Sequence, residues 1–311
     1  MIKLSAKHRI VITGAGGWLG TELLELLLSQ HGADAVRQHV ICFGSRAREI
    51  TLSDGTSVAI HRLGDLPPVT DVGGVVHLAF LTRDKVSVLG TEAYTFGNTV
   101  ITSQAIKLIE TVKPAWIATV SSGAILSSPG GPLENDVQAN PYGFTKRVEE
   151  TMLESVASTL DLNLSIGRLW GAMGASMPIN RNYAVSDFIM QALEANEISI
   201  RSGHKVWRRY CDARDFMHVL VASAQTNKST RFDSGGTLIE VGDLAALIAN
   251  SLGRATDIDR PSSPMQADDS YYPDERAYAR LTQSLGIEQV ELKTLISQTV
   301  VAHMHHRNAD A

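Results

Sequence analysis

The stretch TGAGGWLG, Thr13–Gly20, follows the apolar run HRIVI (8–12) and leads into TELLELLLSQHG (21–32), whose leucines fall on one broad helical face. Four glycines therefore stand between a strand-like run and a helix-like one. A plain tight turn needs fewer. A helix start offers unpaired N–H groups and the positive end of a dipole, so a glycine loop there cradles phosphate. Gly14 suits the tight turn, Gly17 lets backbone approach a diphosphate, and Gly20 lets the helix pack closely on the sheet. The spacing is GxxGxxG, and Gly16 is an additional glycine within it.

Outward from that loop the pattern repeats. The runs HVICFG, VVHLAF, AWIATVSS and LSIGRLW read as strands, and TVITSQAIKLIETV and YGFTKRVEETMLESVASTL as helices. Near-continuous apolar strands alternating with helices predict a parallel sheet covered on both faces, a doubly wound α/β fold. After about residue 170 turn formers dominate, as in GAMGASMPINRNYAVSDF. The expected division is a dinucleotide-binding domain over 1–170, with later strands contributed from 171–245, and a smaller interleaved substrate lobe over 171–311.

Composition narrows the function. The 311 residues carry a formal charge of −5, which argues against a nucleic-acid or membrane-surface partner. No run reaches the roughly 18 apolar residues needed to cross a bilayer. The first residues hold too short an apolar run for a signal peptide. Cys42 and Cys211 lack any CxxC or Cys/His spacing and read as reduced, packed thiols of a cytoplasmic protein. His303, His305 and His306 read as a frayed helix end, so no metal site is expected.

Tyr142 and Lys146, in YGFTK, are four apart at a helix start, which places both side chains on one face. A phenol with a pKa near 10 is a poor base at neutral pH. A neighbouring ammonium favours the phenolate and brings it into useful range. Ser122 ends a strand in SSGAIL and can hold a substrate oxygen while its charge changes; Ser121 is the adjacent alternative.

Taken in order, these motifs resemble the extended, nucleotide-sugar-modifying branch of the short-chain dehydrogenase/reductase family. TGAGGWLG resembles its TGxxGxxG, DVGGVVHLAF its DxVxHLAA, SSGAIL its SSxxVY, YGFTK its YxxxK, RLWGAMG its RxxNVYG, RRYCDARD its RDFxxVxD, and YYPDERAYARLTQSLG its YxPDxxKAxxxLG. Asn98 falls in a region similar to its N-x-x-G-T. The resemblance implies Ser122, Tyr142 and Lys146 as the catalytic set. It implies a dinucleotide held by Gly14, Gly16, Gly17, Trp18, Leu19, Gly20, Ser45, Arg46, Asp65, Leu66, Leu78, Ala79, Leu169 and Trp170, with Tyr142 and Lys146 also touching it. For Asp65 a turn-initiating role is the rival, for Trp170 a core aromatic, and His77 reads as a core histidine on a buried strand.

At the end of HVICF the position that would carry an acid for the ribose 2′-hydroxyl is Gly44, with Ser45, Arg46 and Arg48 beyond. No carboxylate stands there to repel a 2′-phosphate, and an arginine suits one, so the expected cofactor is NADP(H) in preference to NAD(H). On the substrate side the resemblance assigns Arg208 to a diphosphate, with a salt bridge to Asp212 or Asp215 as the rival. The family's Asn becomes Gly171 and its aromatic in SSxxVY becomes Leu126, so the pocket is not that of a common galactose-type epimerase. Glu134, in the loop before Tyr142, is an acid/base candidate or a solvated carboxylate. The expected activity is hydride transfer on a nucleotide sugar, as epimerase, dehydratase or reductase. Rivals are an NADPH-dependent reductase of a small ketone or aldehyde, similar to flavonoid reductases, and a non-catalytic dinucleotide sensor. The resemblance also implies a homodimer.

Overall fold

The computed structural model describes residues 1–65, 69–226, 228–253, 255–262 and 267–309, with side chains described as far as residue 305. Leu66 lies outside the described residues. The first half runs β1 (Arg9–Thr13), α1 (Trp18–His39), β2 (Val40–Gly44), β3 (Arg48–Thr51), β4 (Ser57–Arg62), β5 (Val72–His77), α2 (Lys85–Leu89), α3 (Thr91–Val112), β6 (Trp116–Ser122), α4 (Pro141–Thr159) and β7 (Asn163–Leu169). The second half runs β8 (Ala172–Met173), α5 (Ala184–Ala195), β9 (Glu197–Ser199), β10 (Val206–Asp212), α6 (Ala213–Ala224), β11 (Thr230–Asp233), β12 (Thr237–Glu240), α7 (Val241–Ser251), β13 (Asp257–Asp259), β14 (Asp269–Tyr271), α8 (Arg276–Leu285) and α9 (Leu292–Ala309).

Eight strands form one sheet in the order β11-β7-β6-β5-β1-β2-β4-β3. Every pairing is parallel except the β3–β4 hairpin at the edge. The order reverses between β1 and β5, and open α/β sheets bind ligands in the crevice at such a switch point. Helices cover both faces, which explains why β6 is buried along its whole length and why its sequence does not alternate. On one face α1 and α6 enclose Leu23, Leu24, Leu27, Phe216 and Leu220, all fully buried. Each such side chain contributes about 1.5–3 kcal/mol relative to an exposed one. On the other face α3 and α4 cover Val11, Val75, Ile117 and Leu153.

A four-stranded sheet, β12-β10-β14 with β8 alongside β10, and the short β9–β13 pair lie beside the large sheet. Their core of Met173, Phe188, Ile189, Leu244 and Ile296 is separate from the two sheet cores. β11, which follows α6, pairs with β7 and belongs to the large sheet. Two details differ from the sequence reading. The strand in VVHLAF ends at His77, so Leu78, Ala79 and Phe80 are free to line the crevice. His303 is not frayed: it is buried in α9 beside Thr299, with Nε2 3.2 Å from Ser186 Oγ.

Candidate active site

The glycine loop sits at the switch point. Gly14 has φ +72°, and a Cβ there would come within 2.6 Å of Ala79 N and of Leu78 C, both backbone atoms. Loop and β5 end therefore touch only because residue 14 has no side chain. A Cβ on Gly20 would meet Gly14 O and Ala15 O at 2.5 Å, which is the close helix–loop packing a glycine permits. Gly17 precedes α1 without a side-chain cap, so the first N–H groups of the helix keep their capacity for an anion. These residues fit a dinucleotide diphosphate. Trp18 and Leu19 are half-buried and pack against the core.

Ser45 and Arg46 are exposed. It is Arg48, at the start of β3, that reaches back, donating from Nη2 to Gly16 O at 2.9 Å. A Cβ on Gly16 would stand 2.3 Å from that nitrogen. The β3–β4 hairpin brings Arg48 over the loop, an antiparallel return that the sequence reading did not anticipate. Asp65 is exposed on the turn after β4.

The reacting groups converge where β6 meets α4. The Asn140 side chain caps α4, accepting from Gly143 N at 2.9 Å while its amide donates to Ala124 O at 3.0 Å. A Cβ on Gly143 would be 1.9 Å from Ala124 O, so the helix start presses directly on the turn after Ser122. That contact sets Tyr142 near Ser122, whose Oγ accepts from Ala124 N at 3.1 Å and whose hydroxyl favours the phenolate. Ser121, one residue earlier, is turned into the buried sheet. Phe80 stands edge-on to Tyr142, with ring centroids 6.1 Å apart. Burial pushes the Tyr142 phenol above its ordinary value. The Ser122 hydroxyl and the Arg83 charge act against that, and the Glu149 charge adds to it.

Lys146, four residues on, shares the Phe80 ring with Tyr142. Its Nζ donates to Val120 O at 2.8 Å and to Glu149 Oε2 at 2.7 Å, and lies 3.7 Å from the centre of the Phe80 ring. The amine is buried. The cation that lowers the Tyr142 phenol is Arg83, exposed on the loop between β5 and α2. That loop is anchored by Asn98, whose Oδ1 accepts from Leu81 N at 2.7 Å, and by Tyr94, whose hydroxyl donates to Leu81 O at 2.8 Å.

The opposite wall is aromatic. Trp170 follows β7, donates from Nε1 to Asp233 Oδ1 at 2.7 Å, and packs on Tyr271 with centroids 4.7 Å apart. Its ring also lies against Gly123, just past Ser122. Leu169 packs against the sheet core. Gly171 touches β10: a Cβ there would be 2.5 Å from Arg209 O, so the family's Asn has no room. Arg208 stacks over Tyr271 at 5.6 Å, and its Nη2 pairs with Asp269 Oδ2 at 2.7 Å. Its carboxylate partner is therefore Asp269, 61 residues along the chain, and not Asp212 or Asp215. Glu134 accepts from Asn135 N, Asp136 N and the Asn140 amide, which hold its carboxyl low and tie down the loop before α4. Arg168 makes two bonds to Glu150, at 3.0 and 2.9 Å, joining β7 to α4. Among the described residues no cluster of His, Cys, Asp or Glu is placed to hold a metal, and no helix is long and apolar enough to cross a membrane.

A glycine-lined switch point beside a Ser, Tyr and Lys set defines a doubly wound dinucleotide-fold protein with the layout of an oxidoreductase. Residues 10–235 match the model of the NAD dependent epimerase/dehydratase family, and the chain belongs to that family. It is 23% identical over 251 residues to UDP-glucuronic acid decarboxylase 1 of Danio rerio, covering 76% of this chain and 60% of that protein. It is 22% identical over 271 residues to UDP-glucuronic acid decarboxylase 3 of Arabidopsis thaliana, covering 78% and 75%. The chain thus spans about 60% of the length of the zebrafish relative. In fold it resembles UDP-N-acetylglucosamine 4-epimerase from Methanobrevibacter ruminantium M1 in complex with UDP-N-acetylmuramic acid, with TM-score 0.77, 18% identity, and 96% and 99% of the two chains covered. It likewise resembles MoeE5 in complex with UDP-glucose and NAD, with TM-score 0.74, 18% identity, and 96% and 99% covered.

Proposed function

We propose that this protein transfers hydride between a nicotinamide dinucleotide and the sugar of a nucleotide sugar, with Tyr142 as the acid/base. The observation that carries the reading is the meeting of Ser122, at the end of β6, with Tyr142, at the start of α4, beside the switch-point crevice. When bound, the nicotinamide supplies the hydride acceptor or donor. Ser122 holds the substrate oxygen, Tyr142 takes or returns its proton, and Trp170 and Tyr271 form the wall against which a ring stacks. Arg83 and Arg208 are the cations available to a diphosphate, Arg208 by leaving or sharing Asp269. The names of the relatives support a nucleoside-diphosphate sugar and leave open whether the net reaction is epimerisation, dehydration, decarboxylation or reduction.

For the cofactor, the arginine at the adenosine end and the missing carboxylate at Gly44 support NADP(H) over NAD(H), although the family carries NAD in its name and MoeE5 is bound to NAD. A homodimer is supported by Phe96 and Val100, one turn apart on α3 and 72% and 38% exposed.

The test is thermal shift against UDP-, dTDP-, GDP- and CDP-sugars with NADPH or NADP present. The expected result is a rise in melting temperature with one nucleoside-diphosphate class. Hits would then be followed through the absorbance of the reduced nicotinamide: stoichiometric loss marks a reductase, and an isomerised product without net loss marks an epimerase. Failure of every nucleoside diphosphate to bind, with turnover of small ketones, would replace the nucleotide sugar by a small carbonyl compound.

A further inference from the structure

A buried polar chain runs from the glycine loop to the reacting centre. Thr13 Oγ1, at the end of β1, accepts from Leu78 N and Ala79 N at 3.2 and 3.3 Å. Its own proton is then free for His77 Nδ1, 2.7 Å away, so the imidazole carries its proton on Nε2. His77 Nε2 stands 3.2 Å from Glu149 Oε1, off the axis of an ideal hydrogen bond. Both atoms are buried with no other hydrogen-bond partner, so each has only the other. Glu149 Oε2 takes the Lys146 ammonium, which fills its remaining directions with Val120 O and the Phe80 face. Burial opposes charge on Glu149, yet Lys146 and His77 outweigh it and hold the carboxyl below the usual range.

We infer that Glu149 is a positioning residue of the Tyr142 centre: braced by His77, it holds the Lys146 ammonium back under Phe80, away from the crevice. The inference rests on the proposed acid/base role of Tyr142 but concerns a state the protein holds before any ligand binds. Lys146 has no donor directed at the crevice in this arrangement, so a ribose hydroxyl must draw it off Glu149. The chain's other end lies beneath Ala79, where the dinucleotide loop closes on β5. Loop and amine are thereby joined through four side chains.

The groups facing this pair from every side are few. Tyr142 meets Ser122 from β6, Arg83 from the loop after β5, and Glu149 from its own helix. Tyr94 on α3, Tyr183 before α5 and Tyr271 on β14 feel its charge. Glu149 meets Lys146 and His77. Of the charged partners only Glu149 raises the phenol, and only Arg83 lowers it.

The experiment is a spectrophotometric titration of phenolate in the ligand-free protein, each variant being subtracted from the same variant carrying Tyr142→Phe so that only Tyr142 is read. Glu149→Gln keeps the shape and removes the charge. Its Tyr142 midpoint should fall by about one pH unit or more, the size expected for one partly buried charge at this range. The double variant Lys146→Met with Glu149→Met removes a complete buried pair and should fold, since apolar replacements of such pairs are tolerated. Its midpoint should fall together with that of Glu149→Gln, because of this pair only Glu149 acts on the phenol. An unchanged midpoint in Glu149→Gln would overturn the inference. So would a double variant whose midpoint rises by a unit or more, because the wild-type ammonium would then have been lowering the phenol despite Glu149. Both outcomes are read without cofactor or substrate, so they stand apart from failure of the proposed reaction.

Discussion

Replacing Gly14 by alanine tests the geometry on which the cofactor site depends. The residue sits at φ +72°, where an L side chain costs about 1–2 kcal/mol. The new Cβ would also lie 2.6 Å from Ala79 N and Leu78 C, atoms of a strand end that cannot rotate aside. Forcing the switch point apart adds roughly 1–3 kcal/mol. The total, about 2–5 kcal/mol, is a large part of the roughly 5–15 kcal/mol that holds a typical domain folded. At roughly 2 °C per kcal/mol for a chain of this length, the melting temperature should fall by roughly 4–10 °C. Gly16→Ala is the control. Its Cβ meets the ends of Arg48 and Ile60, flexible groups that can move, so the loss should stay below about 1 kcal/mol. Calorimetry or urea unfolding measures both. A Gly14→Ala protein melting within about 1 °C of wild type, or a Gly16→Ala protein falling as far, would refute the argument.

Arg48→Ala should weaken NADPH binding about tenfold, the loss of one charge-assisted contact, and change NADH binding far less; equal losses measured by fluorescence titration would remove the NADP preference. Phe96→Glu should shift the protein to a monomer in sedimentation velocity, and an unchanged species would dissociate that face from assembly. Burial pushes the Asp215 carboxyl up to about 6, so the folded chain keeps its proton above the ordinary carboxylate range. The associated stability is present below about pH 4 and is lost as pH rises to about 6. Asp215→Asn, whose amide oxygen can still accept from Val290 N, should therefore melt higher than wild type at pH 7 and converge with it near pH 4. A difference independent of pH would assign the effect to packing. Gly143→Ala should separate Tyr142 from Ser122 and cut kcat by more than about tenfold while cofactor affinity holds; unaltered kcat would mean the helix start tolerates displacement.

The large sheet was legible because it depends on local pattern. A strand, a glycine turn and a leucine-rich helix occupy contiguous residues, and the other parallel strands read as short apolar runs. Tyr142, Lys146 and Ser122 were legible from spacing and from a strand end. What escaped were contacts made across the chain. Arg48 reaches Gly16 only because β3 folds back antiparallel on β4. Arg208 meets Asp269 through the parallel pairing of β10 with β14, strands far apart in sequence. Glu149 was within reach of sequence reasoning, since it lies three residues after Lys146 on one helical face. The missing signal was His77 on β5, which turns an ordinary helix pair into a buried chain. Phe80 escaped because the strand was read through residue 80, although it ends at His77.

The central claim is that Tyr142 moves the proton that accompanies hydride transfer. It is tested most directly by rapid mixing of the dinucleotide-loaded protein with a nucleoside-diphosphate sugar identified by thermal shift, following the reduced-nicotinamide absorbance in wild type and in Tyr142→Phe. The account predicts an absorbance change in wild type that is lost in the variant, with the dinucleotide still bound. An equal change in both proteins would contradict it.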